Sequence, residues 1–172
     1  MQVLYLFAQT PLKLDTKSSM AINGTSTLHN WESEVSNFVL TGIGTEKDGK
    51  VDIQALTLTV PVKSIKSGKS LMDEKTYEAL LADKFPNIKF VLESAQLVNG
   101  QIKGKGKLSI AGKTKEVPFM ATYSKIGSST LDVRGSQKID MLSFGVEPPS
   151  VLMGSISTGK DVTIPYHLII SF

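Results

Sequence analysis

Cysteine is absent from this chain, and histidine occurs only twice among its 172 residues. The absence of cysteine excludes disulfides, thiolate metal ligands and cysteine nucleophiles. His29 and His167 are far apart in the sequence, and neither has a carboxylate at the spacing of a metal-binding motif. His29 follows Ser26 closely, but the two form a catalytic dyad only if the backbone brings them together, and the alternative is a structural histidine whose ring bonds a neighbouring strand or loop. We therefore predict no metal site, no catalytic residue and no cofactor.

Strong charge and long apolar runs are also missing. The net charge is +3, and the lysines are spread along the chain without an arginine–aromatic cluster, so no nucleic-acid partner is expected. No apolar run approaches the roughly 18 residues that a membrane helix needs, so no transmembrane segment is predicted. With 41% apolar residues, the composition is typical of one globular domain with a sizeable core.

The first nine residues permit two interpretations. Residues 3–9, Val-Leu-Tyr-Leu-Phe-Ala-Gln, are typical of the end of a signal-peptide core, although no positively charged segment precedes them. The alternative is a hydrophobic first strand. We favour the signal-peptide interpretation, which divides the chain into a remnant over residues 1–9 and one domain over residues 10–172. It predicts export, and hence a periplasmic or secreted protein.

Alternation of apolar and polar residues, which is typical of half-buried strands, runs through most of the chain. Residues 50–62 and 162–172 are the clearest examples, and residues 32–44 are predicted to form one strand. Asp48-Gly49 and Asn99-Gly100 predict tight hairpin turns. About eight strands result, and they most economically close into an antiparallel barrel, because closure removes exposed edges. The interior of an eight-stranded barrel is filled by side chains or holds one ligand.

One helix is predicted in this otherwise all-β chain, from Ser70 to about Ala82. Ser70 and Asp73 resemble a capping box, and Pro86 prevents the helix from continuing. Tyr77 and Leu81 are four residues apart and should share one face. We expect this amphipathic helix to pack on the barrel or to form a lid over its open end.

Two glycines lie on the inward face of a predicted strand. Over residues 101–110, lysines alternate with Gly104 and Gly106, so the lysines face water and the glycines face the interior. Glycine at such positions either allows a sharp bend of the strand or leaves room for something that is not a side chain. Both interpretations are compatible with a barrel.

Three segments resemble the YceI-like family, and they occur in the order found in that family. They are residues 24–31 (Gly-Thr-Ser-Thr-Leu-His-Asn-Trp), 84–90 (Lys-Phe-Pro-Asn-Ile-Lys-Phe) and 106–115 (Gly-Lys-Leu-Ser-Ile-Ala-Gly-Lys-Thr-Lys). An acidic helix before Phe85-Pro86 and a strand beginning at Val117 also match. The resemblance covers roughly residues 12–172, while residues 139–154 resemble a sub-branch with a different loop.

This resemblance implies a lipocalin-like antiparallel barrel that is usually exported to the periplasm. It further implies a polyisoprenoid partner, such as an isoprenoid quinone or a prenyl phosphate, bound along the barrel interior. Ligand contacts differ between members of the family, so the resemblance identifies no individual contact residue in this chain.

Apolar and aromatic side chains that face inward by strand or helix position are the candidates for lining a lipid cavity. Flexible methionines suit a cavity that accommodates a variable chain. The candidate ligand-binding residues are His29, Trp31, Phe38, Leu58, Val60, Met72, Tyr77, Phe90, Phe119, Tyr123, Met141 and Phe144. His29 and Trp31 have apolar bodies with a polar nitrogen, and are expected at the mouth. Each residue could instead belong to an ordinary core.

Three functional hypotheses follow. The first is non-catalytic binding of a polyisoprenoid or similar lipid, as a carrier or reservoir. The second is an enzyme that acts on a bound lipid, which the lack of a paired acid–base group disfavours. The third is a filled barrel that serves as a partner-binding or stress-related module, and a homodimer is the assembly considered.

Overall fold

The computed structural model describes residues 9–172, which form an all-β fold with one α-helix. Except for Gln9, the predicted signal-peptide remnant lies outside the described residues. The strands in the described part are β1 (Thr10–Pro11), β2 (Lys13–Leu14), β3 (Ser19–Ser26), β4 (Trp31–Val35), β5 (Val39–Lys47), β6 (Lys50–Pro61), β7 (Ile65–Lys66), β8 (Asn87–Val98), β9 (Gln101–Ile110), β10 (Lys113–Ile126), β11 (Thr130–Asp140), β12 (Ser150–Val151) and β13 (Ile156–Ser171). The helix α1 spans Ser70–Ala79, and two 3-10 turns span Val62–Ser64 and Met141–Phe144.

The strands form one curled antiparallel sheet. Their order around the sheet is β1-β5-β6-β8-β9-β10-β11-β13-β3-β4-β7, and β2 and β12 also pair with β13. β1 pairs with β5, whereas β2 pairs with the end of β13, so the N-terminal segment connects two distant strands. Between them, the Leu12 N–H donates to the Gly42 carbonyl over 2.9 Å. The sheet therefore surrounds an interior, as a barrel wall does.

The predicted count of eight strands is not confirmed, because thirteen are present between residues 9 and 172. Eight of these have eight or more residues, and the other five are short. The prediction of one strand over residues 32–44 is wrong. The chain turns between β4 and β5, where the backbone N–H and hydroxyl of Ser36 both donate to the Ser64 carbonyl over 2.9 Å. The Ser64 hydroxyl in turn donates to the Asn37 carbonyl over 2.8 Å.

Both predicted hairpin turns are confirmed. Asp48 and Gly49 have φ of 53° and 78°, and Asn99 and Gly100 have φ of 51° and 77°. Two successive residues with positive φ match the twist of the flanking strands, which is why Asp-Gly and Asn-Gly are favoured there. Ala111 and Gly112 repeat this conformation between β9 and β10.

Helix α1 begins at Ser70, as the sequence predicts, but its N-terminal capping and its last residue differ from the prediction. Its N-cap is Lys69, and the predicted capping box does not form; Asp73 instead accepts hydrogen bonds from the backbone and the hydroxyl of Ser67 over 2.7 and 2.6 Å. The helix ends at Ala79, and Leu81 has a φ of 52° and is 50% exposed. Leu81 therefore does not share a helical face with Tyr77. No side chain of α1 is fully buried, so the helix is held at the surface of the sheet.

Candidate ligand-binding cavity

Inward-facing side chains of the long strands enclose an apolar space, which we call the inner cavity. Its volume is about 200 Å³, larger than the cavity of about 150 Å³ that is known to hold a benzene-sized molecule. Gln137 and Tyr166 are the polar members of its lining within the described residues. The apolar lining includes Leu56, Leu58, Val60, Phe90, Leu92, Leu97, Ile102, Leu108, Val117, Phe119, Leu131, Val133, Leu168 and Ile170. Such a space suits a chain-like hydrocarbon better than a polar substrate.

A second space, which we call the outer cavity, lies between α1, the β3–β4 hairpin and the segment from Met141 to Val151. Its volume is about 330 Å³. Trp31, Met72 and Phe144 contribute apolar surface to it, while His29, Lys69 and Lys75 add polar or cationic groups. Helix α1 therefore forms one wall of this cavity, in agreement with the prediction that it packs on the barrel or covers its end.

The two cavities meet at three isoleucines, which we call the junction. Ile88, Ile139 and Ile164 line both spaces. They come from β8, β11 and β13, which form different parts of the curled sheet. An elongated ligand could therefore extend from the outer cavity past the junction into the inner one.

Two phenylalanines of the inner cavity occupy the space that the inward glycines leave free. A Cβ atom on Gly106 would overlap the Phe90 ring, and one on Gly104 would overlap the Phe119 ring. The two rings meet edge to face, with centroids 5.7 Å apart. The room at the glycines is thus filled by side chains of neighbouring strands and is not left open for something that is not a side chain.

β-Bulges increase the number of strand residues that face the interior. In β6, Ala55 has a φ of 51°, and the pairing with β5 shifts at this point, so Ile53 before the bulge and Leu56 after it both line the inner cavity. A second shift in the β8–β9 pairing likewise brings both Leu92 and Ala95 to the interior. Without these bulges, one residue of each pair would face water.

Nine of the twelve residues predicted from the sequence line one of the two cavities. Leu58, Val60, Phe90 and Phe119 line the inner cavity, and His29, Trp31, Met72, Met141 and Phe144 line the outer one. The other three lie outside both linings. Phe38 and Tyr123 pack against the buried core, and the Tyr77 hydroxyl lies within hydrogen-bonding distance of the Lys63 and Ile65 carbonyls, at 3.2 and 3.0 Å.

The predicted mouth residues are fixed by local contacts. The Ser26 hydroxyl donates to the backbone carbonyl of His29 over 2.8 Å, and the His29 ring nitrogen Nδ1 bonds the Asn30 carbonyl over 2.7 Å. Ser26 and the His29 ring therefore do not form a dyad. The Trp31 ring covers Gly24, and its Nε1 donates to the Thr25 carbonyl over 3.1 Å.

Tyr166 and Gln137 are the polar residues of the inner-cavity lining that the candidate set from the sequence missed, along with many apolar ones. Both lie on the inward parity of their strands, so the alternation alone could have identified them. Burial raises the pKa of the Tyr166 hydroxyl, because the low-dielectric surroundings disfavour the phenolate. The phenol is therefore neutral at physiological pH and can donate a hydrogen bond.

A charged cluster lies on the opposite, outward face of the sheet. His167 Nε2 bonds an Asp132 oxygen over 3.0 Å, and Arg134 Nε bonds the other oxygen over 3.1 Å. The hydrogen bond from His167, assisted by Arg134 and opposed by partial burial, holds the pKa of Asp132 below its usual value. Residues 9–172 contain no group of three or more His, Asp or Glu side chains arranged to hold a metal ion. In the same part of the chain, no helix is both long enough and apolar enough to cross a bilayer.

Comparison with known proteins identifies the fold. A model of the YceI-like domain matches residues 13–169, and no curated protein is matched. BcnA from Burkholderia cenocepacia has a similar structure, with a TM-score of 0.75 and 20% identity over 91% of this chain and 99% of BcnA. A polyisoprenoid binding domain from Saccharophagus degradans, implicated in plant cell wall breakdown, has a TM-score of 0.72 and 11% identity, covering 93% of this chain and 97% of that one. The YCEI protein from Campylobacter jejuni has a TM-score of 0.64 and 16% identity, covering 80% and 82%.

Proposed function

This chain belongs to the YceI-like family, and we propose that it binds a long-chain polyisoprenoid or a similar lipid without transforming it, as a carrier or reservoir. The observation that carries the proposal is the apolar inner cavity, which shares the three isoleucines of the junction with the outer cavity. The structural likeness to a domain described as polyisoprenoid binding supports the same ligand class.

The energetics favour a ligand made of repeated hydrocarbon units. Each buried methylene contributes about 0.8 kcal/mol, so one isoprene unit gains at most about 4 kcal/mol. The ordering of ligand and protein offsets a large part of this gain. Several units in contact with the lining would still bind firmly, and no catalytic group is needed.

The arrangement of polar residues supports binding over catalysis. Ser26 bonds the backbone of His29 rather than its ring, and the His167–Asp132 pair faces outward, away from both cavities. The third hypothesis, a completely filled barrel, is disfavoured by the open volume of the two cavities.

We also propose that the protein acts in the periplasm or as a secreted protein. The support is the apolar sequence of residues 3–9, which is typical of a signal-peptide core. A homodimer stays a prediction, which light scattering of the purified protein would test. Cell fractionation, combined with the mass of the mature chain, would test export.

Native mass spectrometry of protein purified without added lipid, followed by organic extraction, tests the ligand class. We expect extracted species whose masses differ by one isoprene unit. An apo mass together with no uptake of added isoprenoid quinone would contradict the proposal.

Two neighbouring positions of β10 provide a matched pair of variants for the same assay. Ala121 is buried and lines the inner cavity, whereas Met120 is 62% exposed on the outer face. We expect Ala121→Phe to fill the cavity and reduce lipid uptake, and Met120→Phe to leave uptake unchanged. Equal uptake by both variants, with both folded by circular dichroism, would argue against binding in the inner cavity.

A further inference from the structure

Tyr166 is one of the two polar residues in the lining of the inner cavity described above. Tyr166 lies directly opposite Gly135 in the β11–β13 pairing, and a Cβ on Gly135 would overlap the phenol oxygen. The glycine therefore leaves the space in which this oxygen lies. The hydroxyl has no hydrogen-bond partner among the described residues, although its side chain lines the inner cavity.

Gln137 places a second polar group beside the first. It lies opposite Ile164 on β11, diagonal to Tyr166, and such diagonal neighbours are about 7–8 Å apart. Its side-chain nitrogen donates to the Lys138 carbonyl over 3.2 Å, while its side-chain oxygen has no partner in the described part of the chain. Tyr166 can thus donate to a ligand oxygen, and Gln137 can accept from a ligand hydroxyl.

Ser33 is a third unpartnered polar group at the same level of the sheet. It is only 2% exposed, lines the outer cavity and has no side-chain hydrogen bond to any residue between 9 and 172. Ser33 pairs with Ile22 on β3. The junction residues Ile164 and Ile139 lie next along their strand faces to Tyr166 and Gln137. The three polar groups therefore lie around the junction and leave the deep end of the inner cavity apolar.

These polar atoms are not completely enclosed by protein, because Asn23 Oδ1 is the completely buried side-chain atom without a partner in the described part of the chain. An apolar ligand that covered them would exclude water from them. A buried polar atom that has lost water and gained no partner is destabilising, and natural proteins satisfy nearly all of them. Within the described chain, the inner-cavity lining has no lysine, arginine or histidine, so a charged head group there would be desolvated without a counter-ion. Lys69 and Lys75 lie on the outer cavity only.

We propose that the bound isoprenoid carries an uncharged oxygen, as a hydroxyl or carbonyl, which hydrogen bonds to Tyr166 and Gln137 at the junction. This inference rests on the proposed function, and it names the head-group chemistry that the same site selects.

Three probes distinguish the contribution of the head group to affinity from that of the hydrocarbon chain. They are geranylgeraniol, geranylgeranyl phosphate and squalene, which has no oxygen. Dissociation constants are measured by competition against a fluorescent apolar probe, for the wild type, Tyr166→Phe, Gln137→Leu and Gln96→Leu. Gln96 is exposed on the outer face of β8 and serves as the matched control for Gln137.

We expect Tyr166→Phe and Gln137→Leu each to bind geranylgeraniol about threefold to tenfold more weakly, as expected for one lost hydrogen bond. Squalene affinity should stay within about twofold, because hydrocarbon packing is unchanged. Gln96→Leu should behave as the wild type with every probe. Without ligand, Tyr166→Phe should be at least as stable as the wild type, because the hydroxyl that it loses has no hydrogen-bond partner in the described protein. If the role of Tyr166 were purely structural, this variant would be less stable than the wild type.

The results that overturn this inference differ from those that overturn lipid binding. If Tyr166→Phe and Gln137→Leu bind geranylgeraniol as tightly as the wild type does, the proposed hydrogen-bonding role is wrong and lipid binding stands. The same conclusion follows if the two variants lose affinity for squalene as much as for geranylgeraniol. If geranylgeranyl phosphate binds the wild type more tightly than geranylgeraniol and is weakened by Tyr166→Phe, an uncharged head group is wrong. If the wild type binds none of the three, the proposed function fails together with the inference.

Discussion

At the scale of single residues, four glycines lie where an aromatic ring of the same sheet covers them. Trp31 covers Gly24, Phe90 covers Gly106, Phe119 covers Gly104 and Tyr166 covers Gly135. In each case a Cβ on the glycine would overlap the ring. All four rings line one of the two cavities, so the glycines determine how the rings are positioned against the ligand space.

Gly106→Ala tests this arrangement. The new Cβ would overlap both the Phe90 ring and the Val91 carbonyl oxygen, and the backbone oxygen cannot move away easily. We expect the free energy of unfolding to fall by about 1–3 kcal/mol, as for other overpacked cores. Urea unfolding measures this free energy, and the m-value should stay unchanged. Lys103→Ala on the exposed face of β9 is the control, and its free energy of unfolding should change by less than about 0.5 kcal/mol. An unchanged or higher stability of Gly106→Ala would contradict the role of the glycine.

Asp132 makes the stability of the sheet depend on pH. The His167 hydrogen bond, with Arg134, makes the pKa of Asp132 lower in the folded protein than in the unfolded chain. Folding therefore releases protons from this group, and its contribution is present above the ordinary aspartate pKa of about 3.9 and lost as pH falls through the folded value. We expect Asp132→Asn to destabilise by about 1 kcal/mol at neutral pH.

The measurement is urea unfolding of both proteins across the acid range. The difference between the wild type and Asp132→Asn should shrink as the pH falls below about 3.9. Asp48→Asn, in the exposed β5–β6 turn, should follow the wild type throughout. A constant difference at all pH values would show that the carboxylate charge is not the cause.

At the scale of elements, the sequence predicted the presence of most of the long strands. It did not predict the bulges at which a strand switches the parity of its inward-facing residues. Alternation over residues 101–110 located β9 correctly, and Asp-Gly and Asn-Gly located two turns because the turn conformation requires those residues. Ala55 gave no such signal, because a left-handed alanine is set by tertiary pairing rather than by its own preference. The bulge at Ala55 therefore could not be predicted, and neither could the lining residues that it brings inward.

Helix α1 is attached to the sheet by few contacts, and Tyr77 provides one of them. Its hydroxyl lies 3.0 Å from the Ile65 carbonyl and accepts a hydrogen bond from Lys66 Nζ over 2.8 Å. Since no α1 side chain is fully buried, loss of this hydroxyl should release the helix locally rather than unfold the protein. We expect amide exchange of α1 to become roughly fivefold faster in Tyr77→Phe, as for the loss of about 1 kcal/mol.

Hydrogen exchange resolved by segment checks this, with Tyr123→Phe as the control, because Tyr123 has no side-chain hydrogen bond within residues 9–172. The long strands β9, β10 and β11 should exchange at the wild-type rate in both variants. Faster exchange over the whole chain of Tyr77→Phe would indicate global destabilisation and contradict a local role.

At the scale of the whole molecule, the sequence predicted a single curled sheet around an interior but not how its sides connect. The connection depends on Thr10–Leu14, whose two short strands pair with β5 and β13. Two-residue strands carry no readable alternation, so their partners are set by the assembled sheet. Similarly, most of the nine correctly predicted cavity residues were predictable because they are apolar and inward-facing, and His29 because of its expected place at the mouth. Gln137 was not selected because a polar residue is not expected inside a lipid cavity.

The junction makes the whole cavity sensitive to ligand length, and Ile88→Phe tests this. A larger side chain at Ile88 should obstruct passage between the two cavities while leaving the deep part of the inner cavity available. A long isoprenoid quinone should bind about tenfold or more weakly, because the loss of two buried methylenes at about 0.8 kcal/mol each already has this effect. Farnesol, which is short enough for one cavity, should bind within about twofold of the wild type.

Val91→Phe is the matched control, since Val91 is on the same strand, 38% exposed and directed outward. Competition binding of both ligands to the two variants, with urea unfolding to confirm that each is folded, completes the test. If Ile88→Phe reduced the affinity for farnesol and for the long quinone equally, the two ligands would occupy the same side of the junction. The two cavities would then be separate sites. In one continuous site, an obstruction at the junction should lower the affinity only for the chain that is long enough to pass through it.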